Sequence, residues 1–282
     1  MDPGGGQGAD RARGSWGSRL RGSSLPVAAL TLVEALGIGA GDVVALVGGG
    51  GKTTAMFRLA REVAERGEQA LTTSTTHIFA EQIALAPAHI RAADATRERV
   101  AAALDASQHV LVIGATDSAT GRAAGISPDL FRDLRAWCPR ACLLNEADGS
   151  RGRGFKAPAP HEPAIPPETT LVVPVVGADV LGQTLDAEHV HRPEQVARLT
   201  GAPLGARITP ELVARVVADP NGGRRNVPAG ARVVVLINKV ETLGDREPAR
   251  EAAERLLREP AIASVVLGAA AGDKPVLEVF TR

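Results

Sequence analysis

Four consecutive glycines, Gly48 to Gly51, run directly into Lys52, Thr53 and Thr54. Two further clusters lie downstream, Glu146-Ala147-Asp148-Gly149 and Asn238-Lys239-Val240-Glu241. These are residue types for holding a nucleotide. Glycines admit positive φ and let backbone N–H groups curl around anionic oxygens with no Cβ in the way. Lys52 would reach the β- and γ-phosphates of a nucleotide, and the Thr53 hydroxyl would complete a Mg²⁺ shell. The chemistry expected is Mg²⁺-assisted phosphate binding, with phosphoryl transfer where water or a hydroxyl is positioned to attack.

The flanking elements suit that reading. Val43 to Val47 is an apolar, β-branched run, and a helical pattern extends from Ala55 to Arg66. Strand, glycine turn and helix in that order are the context a phosphate-binding loop needs. The helix would aim its positive dipole end and free N–H groups at the same anion. The eight-residue Walker A spacing asks for a glycine at position 46, where this chain has Leu46. The spelling from Val47 to Thr54 resembles the P-loops of metallochaperone and partitioning NTPases, some of which carry a lysine where this chain has Val47.

A second strand beside the first would deliver a carboxylate to the metal shell, and the run Cys142–Glu146 fits it. Glu146 and Gly149 then stand at the Glu-x-x-Gly spacing that offers a carboxylate to Mg²⁺ and an N–H to the γ-phosphate. The glutamate variant is similar to that of GTPases that help load metal centres. Asp148 adds a carboxylate within reach of the metal or the attacking water, so Thr53, Glu146 and Asp148 form the expected metal set. Arg151 and Arg153 could offset phosphoryl-transfer charge in cis or sit as ordinary loop arginines. The strand Arg232–Ile237 ends in Asn238-Lys239-Val240-Glu241, which resembles the Asn-Lys-x-Asp base-recognition loop with Glu241 in place of Asp. Gly268-Ala269-Ala270 follows about one helix and one strand later; a backbone N–H there, at Ala269, is expected to approach the base.

Composition narrows the classes. The 282 residues carry 32 basic and 32 acidic side chains, which leaves no electrostatic footprint for nucleic acid. Aromatic residues make up only 2%, so no stacking platform for single strands is expected either. Cys138 and Cys142 are the only cysteines, too few for a disulfide framework. They read as core residues of a chain in a reducing cytoplasm. Just four lysines, Lys52, Lys156, Lys239 and Lys274, stand against 28 arginines. Two of them fall inside the nucleotide motifs, and Lys156 lies in a loop facing the expected phosphate site.

Residues 1–24, rich in Gly, Ser and Arg, read as a disordered tail. The stretch Leu25–Ile38 is too short to span a membrane and is interrupted by Thr31 and Glu34. It reads as a surface helix starting near Ser24 and Pro26. Further strands are expected at Gln69–Ser74, His109–Ile113, Thr170–Val176 and Ser264–Leu267, the last taken as the final core strand. Helices are expected at 94–105, Pro128–Trp137, 193–200, 209–218 and Glu247–Arg258, and 149–168 as a long Gly/Pro-rich loop. Strands alternating with helices predict an α/β fold, a P-loop NTPase-like three-layer sandwich with a mostly parallel sheet, with residues 25–282 as one domain.

Taken together, Leu46–Thr54, Leu71–His77, Asn145–Arg151, Val176–Gly182 and Asn238–Glu241 resemble the YqeC family, as do His191-Arg192-Pro193-Glu194. The resemblance runs from about Leu30 to the C-terminus. It implies an accessory role for selenium-dependent molybdenum hydroxylases: a GTP- or ATP-binding step in making or inserting a selenium-containing molybdenum cofactor, with a hydroxylase or a cofactor-biosynthesis protein as partner. The same residues leave open a small-molecule kinase, or a nucleotide-binding chaperone without turnover. Asp186, Glu188, His189 and His191 read either as a metal-ligating group or as strand-like alternation in a solvated loop.

Overall fold

The computed structural model describes residues 30–282, so the expected tail over 1–24 and the helix start near Ser24 lie outside the described residues. The first described helix, α1 (Leu32–Leu36), is short. Thr31 and Glu34 form a reciprocal capping box at its start, and Gly37, with φ 65°, ends it. The two polar residues that interrupt the apolar stretch are thus the helix N-terminus itself. The helix is also buried rather than superficial, with Leu32, Val33, Ala35 and Leu36 all in the core.

A nine-stranded sheet organises the chain. It comprises β1 (Val43–Gly48), β2 (Ala70–Ser74), β4 (Ala88–Arg91), β5 (His109–Ile113), β8 (Cys142–Glu146), β10 (Leu171–Gly177), β12 (Arg232–Asn238), β13 (Ser264–Gly268) and β14 (Val276–Thr281). The spatial order is β14-β13-β12-β10-β1-β8-β2-β5-β4. Every neighbouring pair is parallel except β13 with β14. β1 and β8 are central and buried along nearly their whole length, as continuous apolar runs in a two-sided sheet should be. A small antiparallel sheet, β3 (His77–Phe79), β7 (Arg122–Ala124) and β6 (Thr116–Asp117), sits apart, and β9 (Phe155–Lys156) pairs in parallel with β11 (Val190–His191).

Helices cover both faces. Alternate residues of β12 and β8 go to opposite sides: Val234, Leu236, Cys142 and Leu144 pack with α1 and α2 (Lys52–Glu65). On the other face, Val233, Val235 and Ile237 meet α6 (Pro210–Ala218) and α7 (Glu247–Leu256). Leu143 meets α3 (Arg97–Ser107) and α4 (Pro128–Trp137) there. The period of two in each strand thereby builds an α/β sandwich. Local chemistry sets the helix starts. Ser127 and Thr209 accept from the backbone N–H three residues on, each followed by a proline at the first turn, and Pro193 opens α5 (Pro193–Thr200).

The expected alternation is observed, but β4 in the main sheet and the short strands β3, β6 and β7 fall where no strand is expected, and three expected elements differ. Helix α2 begins at Lys52, not Ala55, so the lysine sits on the first helical turn. Ser264–Gly268 is not the final strand, because β14 adds an antiparallel edge beside it. The 149–168 loop contains β9, fixed by β11.

Candidate functional site

The turn Gly48–Gly51 joins β1 to α2 at the carboxyl edge of the sheet, where open α/β sheets bind ligands. Two neighbours shape it. The Gly49 N–H donates to the Val175 carbonyl at 2.9 Å, and the Gly50 N–H donates to the Arg153 carbonyl at 3.1 Å. At Gly50, with φ 77°, a Cβ would lie 2.0 Å from the Gly177 nitrogen, so no other residue fits. The glycine run is therefore required by the crossing of the β1–α2 loop over the end of β10.

Lys52 is buried and folds back over the turn, its Nζ donating to the Gly48 carbonyl at 2.8 Å. It lies 3.3 Å from Asp148 Oδ1 and 3.6 Å from Glu146 Oε1. Glu146 reaches this point because β8 pairs with β1 in parallel, with Leu46 opposite Glu146. Its other oxygen accepts from the Thr53 hydroxyl at 2.6 Å. Both Asp148 oxygens accept from the Gly48 N–H at 3.0 Å. Burial alone would lower the Lys52 pKa, but the Asp148 and Glu146 carboxylates outweigh it and hold the ammonium above its ordinary range. Burial pushes the Glu146 carboxyl up, against the pull of Lys52 and Thr53. The Thr53 hydroxyl and the two carboxylates present oxygen donors at the start of α2, the donor chemistry that a hard divalent cation such as Mg²⁺ takes.

Lys156, buried on β9, donates to Glu162 Oε2 and to the Gly149 carbonyl, each at 2.7 Å, and forms an ion pair with Asp148 Oδ2 at 3.1 Å. Glu162 also accepts from Arg192 at 2.7 Å. Burial raises the Glu162 pKa, but the Arg192 and Lys156 hydrogen bonds and charges bring it down to about 2. A ladder of alternating charge, Lys52–Asp148–Lys156–Glu162–Arg192, thus leads outward from the glycine turn. Lys156 joins this cluster from outside the three motifs. Its only sequence signals are its rarity as a lysine and its place in the 149–168 loop.

At the other side of the turn, the Asn238 side-chain amide donates to the Gly50 carbonyl at 2.9 Å, and its oxygen accepts from the Ala270 N–H at 2.9 Å. Lys239, with φ 62°, pairs with Asp179 at 2.7 Å. The Ala269 N–H, expected to face a base, donates to the Pro275 carbonyl at 3.0 Å.

The remaining expected residues are less engaged. Glu241 and Thr54 are exposed. Arg151 is exposed at φ 51°, and its charge acts on His191. Arg153 donates to the Ala187 carbonyl. His189 Nδ1 bonds Asp186 at 2.8 Å, while His191 is carried by β11; among the described residues no group of three or more His, Cys, Asp or Glu side chains is arranged to hold a metal. Cys142 is buried in the core and Cys138 partly so. No described helix is long and apolar enough to cross a membrane.

A family model described as "YqeC protein" matches residues 44–194. The chain is 33% identical over 203 residues to the uncharacterized protein YqeC of Escherichia coli (strain K12), covering 70% of this chain and 75% of that protein. Among solved structures it is similar to chloroplast FtsY from Physcomitrella patens, at 13% identity and a TM-score of 0.43, over 86% of this chain and 64% of that one, just under two thirds of its length. It is also similar to FlhF complexed with GTP/Mg(2+), at 12% identity and a TM-score of 0.37, over 86% of this chain and 70% of that one.

Proposed function

The chain belongs to the YqeC family, and on that premise we propose that it binds and hydrolyses a Mg²⁺-nucleotide, GTP or ATP, on its glycine turn. We propose further that this step serves the maturation or insertion of the selenium-containing molybdenum cofactor of hydroxylases. A hydroxylase or a cofactor-biosynthesis protein would be the partner, and residues 25–282 would act as one nucleotide-binding domain. The observation that carries the reading is the buried Lys52 ammonium at the mouth of the glycine turn, flanked by Glu146 at the end of the adjacent strand and Asp148 just beyond it. A buried ammonium on the first turn of a helix, set against a turn of four glycines, is what a polyphosphate requires.

In this reading the N–H groups at the start of α2 and Lys52 hold the phosphates. Thr53, Glu146 and Asp148 would hold the metal, which supplies charge neutralisation on the phosphate oxygens. Asp148, or Glu146 in its less acidic state, orients the attacking water. Asn238 keeps the turn in register with the 268–270 segment, where the base would lie, and the Lys239 stem and Glu241 would flank that base. The test is steady-state phosphate release from Mg²⁺-GTP and Mg²⁺-ATP. Release without an added acceptor supports the hydrolase; release only with an acceptor turns the reading to a kinase, and tight binding with no release to a chaperone.

A further inference from the structure

Asp148 is held from two sides by cations on different elements. Oδ1 lies 3.3 Å from Lys52 Nζ and Oδ2 lies 3.1 Å from Lys156 Nζ, while both oxygens accept the Gly48 N–H. The Lys52 ammonium and a glycine-turn N–H are the donors that the terminal phosphate of a nucleotide would use. A carboxylate and a phosphate oxygen carry the same sign of charge and compete for those donors. Lys156 does not belong to the glycine turn. It is anchored on β9, beside the buried Phe155, by pairing with β11 and by its bonds to the Gly149 carbonyl and Glu162. Its ammonium can therefore stay in place while the partners of Lys52 change.

Resting on the nucleotide reading above, we infer that Lys156 is a positioning residue that takes over the Asp148 carboxylate when a terminal phosphate claims Lys52 and the Gly48 N–H. Without Lys156, that exchange leaves Asp148 and Glu146 to share one Mg²⁺ with the phosphate oxygens, a shortfall of positive charge that is disfavoured at a buried site. The unfavourable term is larger in the triphosphate complex, because a diphosphate has no γ-phosphate to claim the Gly48 N–H and leaves Lys52 shared between the β-phosphate and Asp148. Lys156 thereby sets the preference for triphosphate over diphosphate.

The experiment is titration calorimetry on the full chain with Mg²⁺, using the β,γ-imido analogues of GTP and ATP against GDP and ADP. Lys156→Met should weaken imido-triphosphate binding by about tenfold or more while diphosphate affinity stays within about threefold. Adding Asp148→Asn to Lys156→Met should restore the triphosphate affinity to that of Asp148→Asn alone, since no charge is left that needs a receiver. A merely structural role predicts equal losses for both nucleotides and a worse double variant, and either result overturns the inference. Unchanged binding in Lys156→Met overturns it too, as does a wild type with no triphosphate preference. If Lys156→Met does not fold, Lys156→Gln, which keeps an N–H for the Gly149 carbonyl, carries the same expectation; failure of both to fold makes Lys156 a fold-holding residue and overturns it. A wild type that binds none of these nucleotides removes the nucleotide reading itself, a result separate from the others.

Discussion

The side chain of Asn238 ties the Gly50 carbonyl to the Ala270 N–H, each at 2.9 Å, and so joins the glycine turn to the end of β13. All three groups are buried, and Asn238 is 3% exposed. One amide side chain thus fixes the distance between the glycine turn and the 268–270 segment. A second link runs parallel to it: Arg58 on α2 donates to the Gly272 carbonyl at 2.8 Å.

Asn238→Ala should leave Gly50 O and Ala270 N–H without partners and cost about 1–3 kcal/mol of stability. Urea unfolding measures it. Nucleotide affinity should fall along with stability, because the turn and the 268–270 segment lose their register. A variant as stable as the wild type would show that the brace is dispensable.

Glu146→Gln and Asp148→Asn should separate binding from turnover. Burial already pushes the Glu146 carboxyl toward its neutral form, so Gln is tolerated by the fold. With the charge gone, Mg²⁺-dependent turnover should fall by about a hundredfold or more while nucleotide affinity changes less. Asp148→Asn should act chiefly on turnover. Wild-type phosphate release from both variants would reduce the end of β8 to a polar turn.

The central part of this site was legible in the sequence because its signals are local. Glycine runs, a strand before and a helix after define the turn around Lys52, and β8 and α4 fall on the expected residues because each is a continuous apolar run or a capped amphipathic one. What escaped depends on partners distant in sequence. β14 is an edge strand with four of six residues only partly buried, so its pattern is weak. β3, β6 and β7 are two or three residues long, too short for a period. The charge ladder through Lys156, Glu162 and Arg192 joins residues up to 36 positions apart and has no spacing signature. The same holds for Asp179, which meets Lys239 only because β10 and β12 are neighbours.

Base selectivity tests the Asn238–Glu241 segment. The protein should bind GTP at least as tightly as ATP, since a carboxylate accepts from guanine N1–H and N2–H₂ but faces an acceptor in adenine. Such mismatches are worth about 1–3 kcal/mol, roughly tenfold to a hundredfold in affinity. Glu241 is exposed, so it is open to an incoming base, and Glu241→Ala should shrink the GTP preference and leave the phosphate contacts, read as ATP affinity, intact. Equal affinities, unmoved by Glu241→Ala, would remove Glu241 from base recognition.

Stability should decline as pH falls from about 6.5 to about 4. His109 is buried, shares a hydrogen bond with Thr72 Oγ1 at 2.9 Å, and burial lowers its pKa from 6.5 to about 4. In that window the unfolded chain takes up a proton that the folded chain refuses, so the unfolded state gains, by about 3 kcal/mol over the whole range. Burial and the charges of Arg192, Lys156 and Arg151 lower His191 to about 4 as well, which adds in the same direction. Thermal unfolding across pH 7 to 4 should show a smaller slope for His109→Gln than for the wild type. Parallel curves would contradict the assignment.

The most direct measurement is calorimetric titration of Mg²⁺-GTP and Mg²⁺-ATP into the wild type and Lys52→Ala. Removing Lys52 leaves two buried carboxylates short of a cation, although Lys156 still holds Asp148, so the variant should fold with a stability loss of about 3 kcal/mol. The account predicts saturable binding of at least one nucleotide by the wild type and none detectable in the folded variant, at the same concentrations. Equal binding by a folded Lys52→Ala protein, or no binding by the wild type, would contradict it.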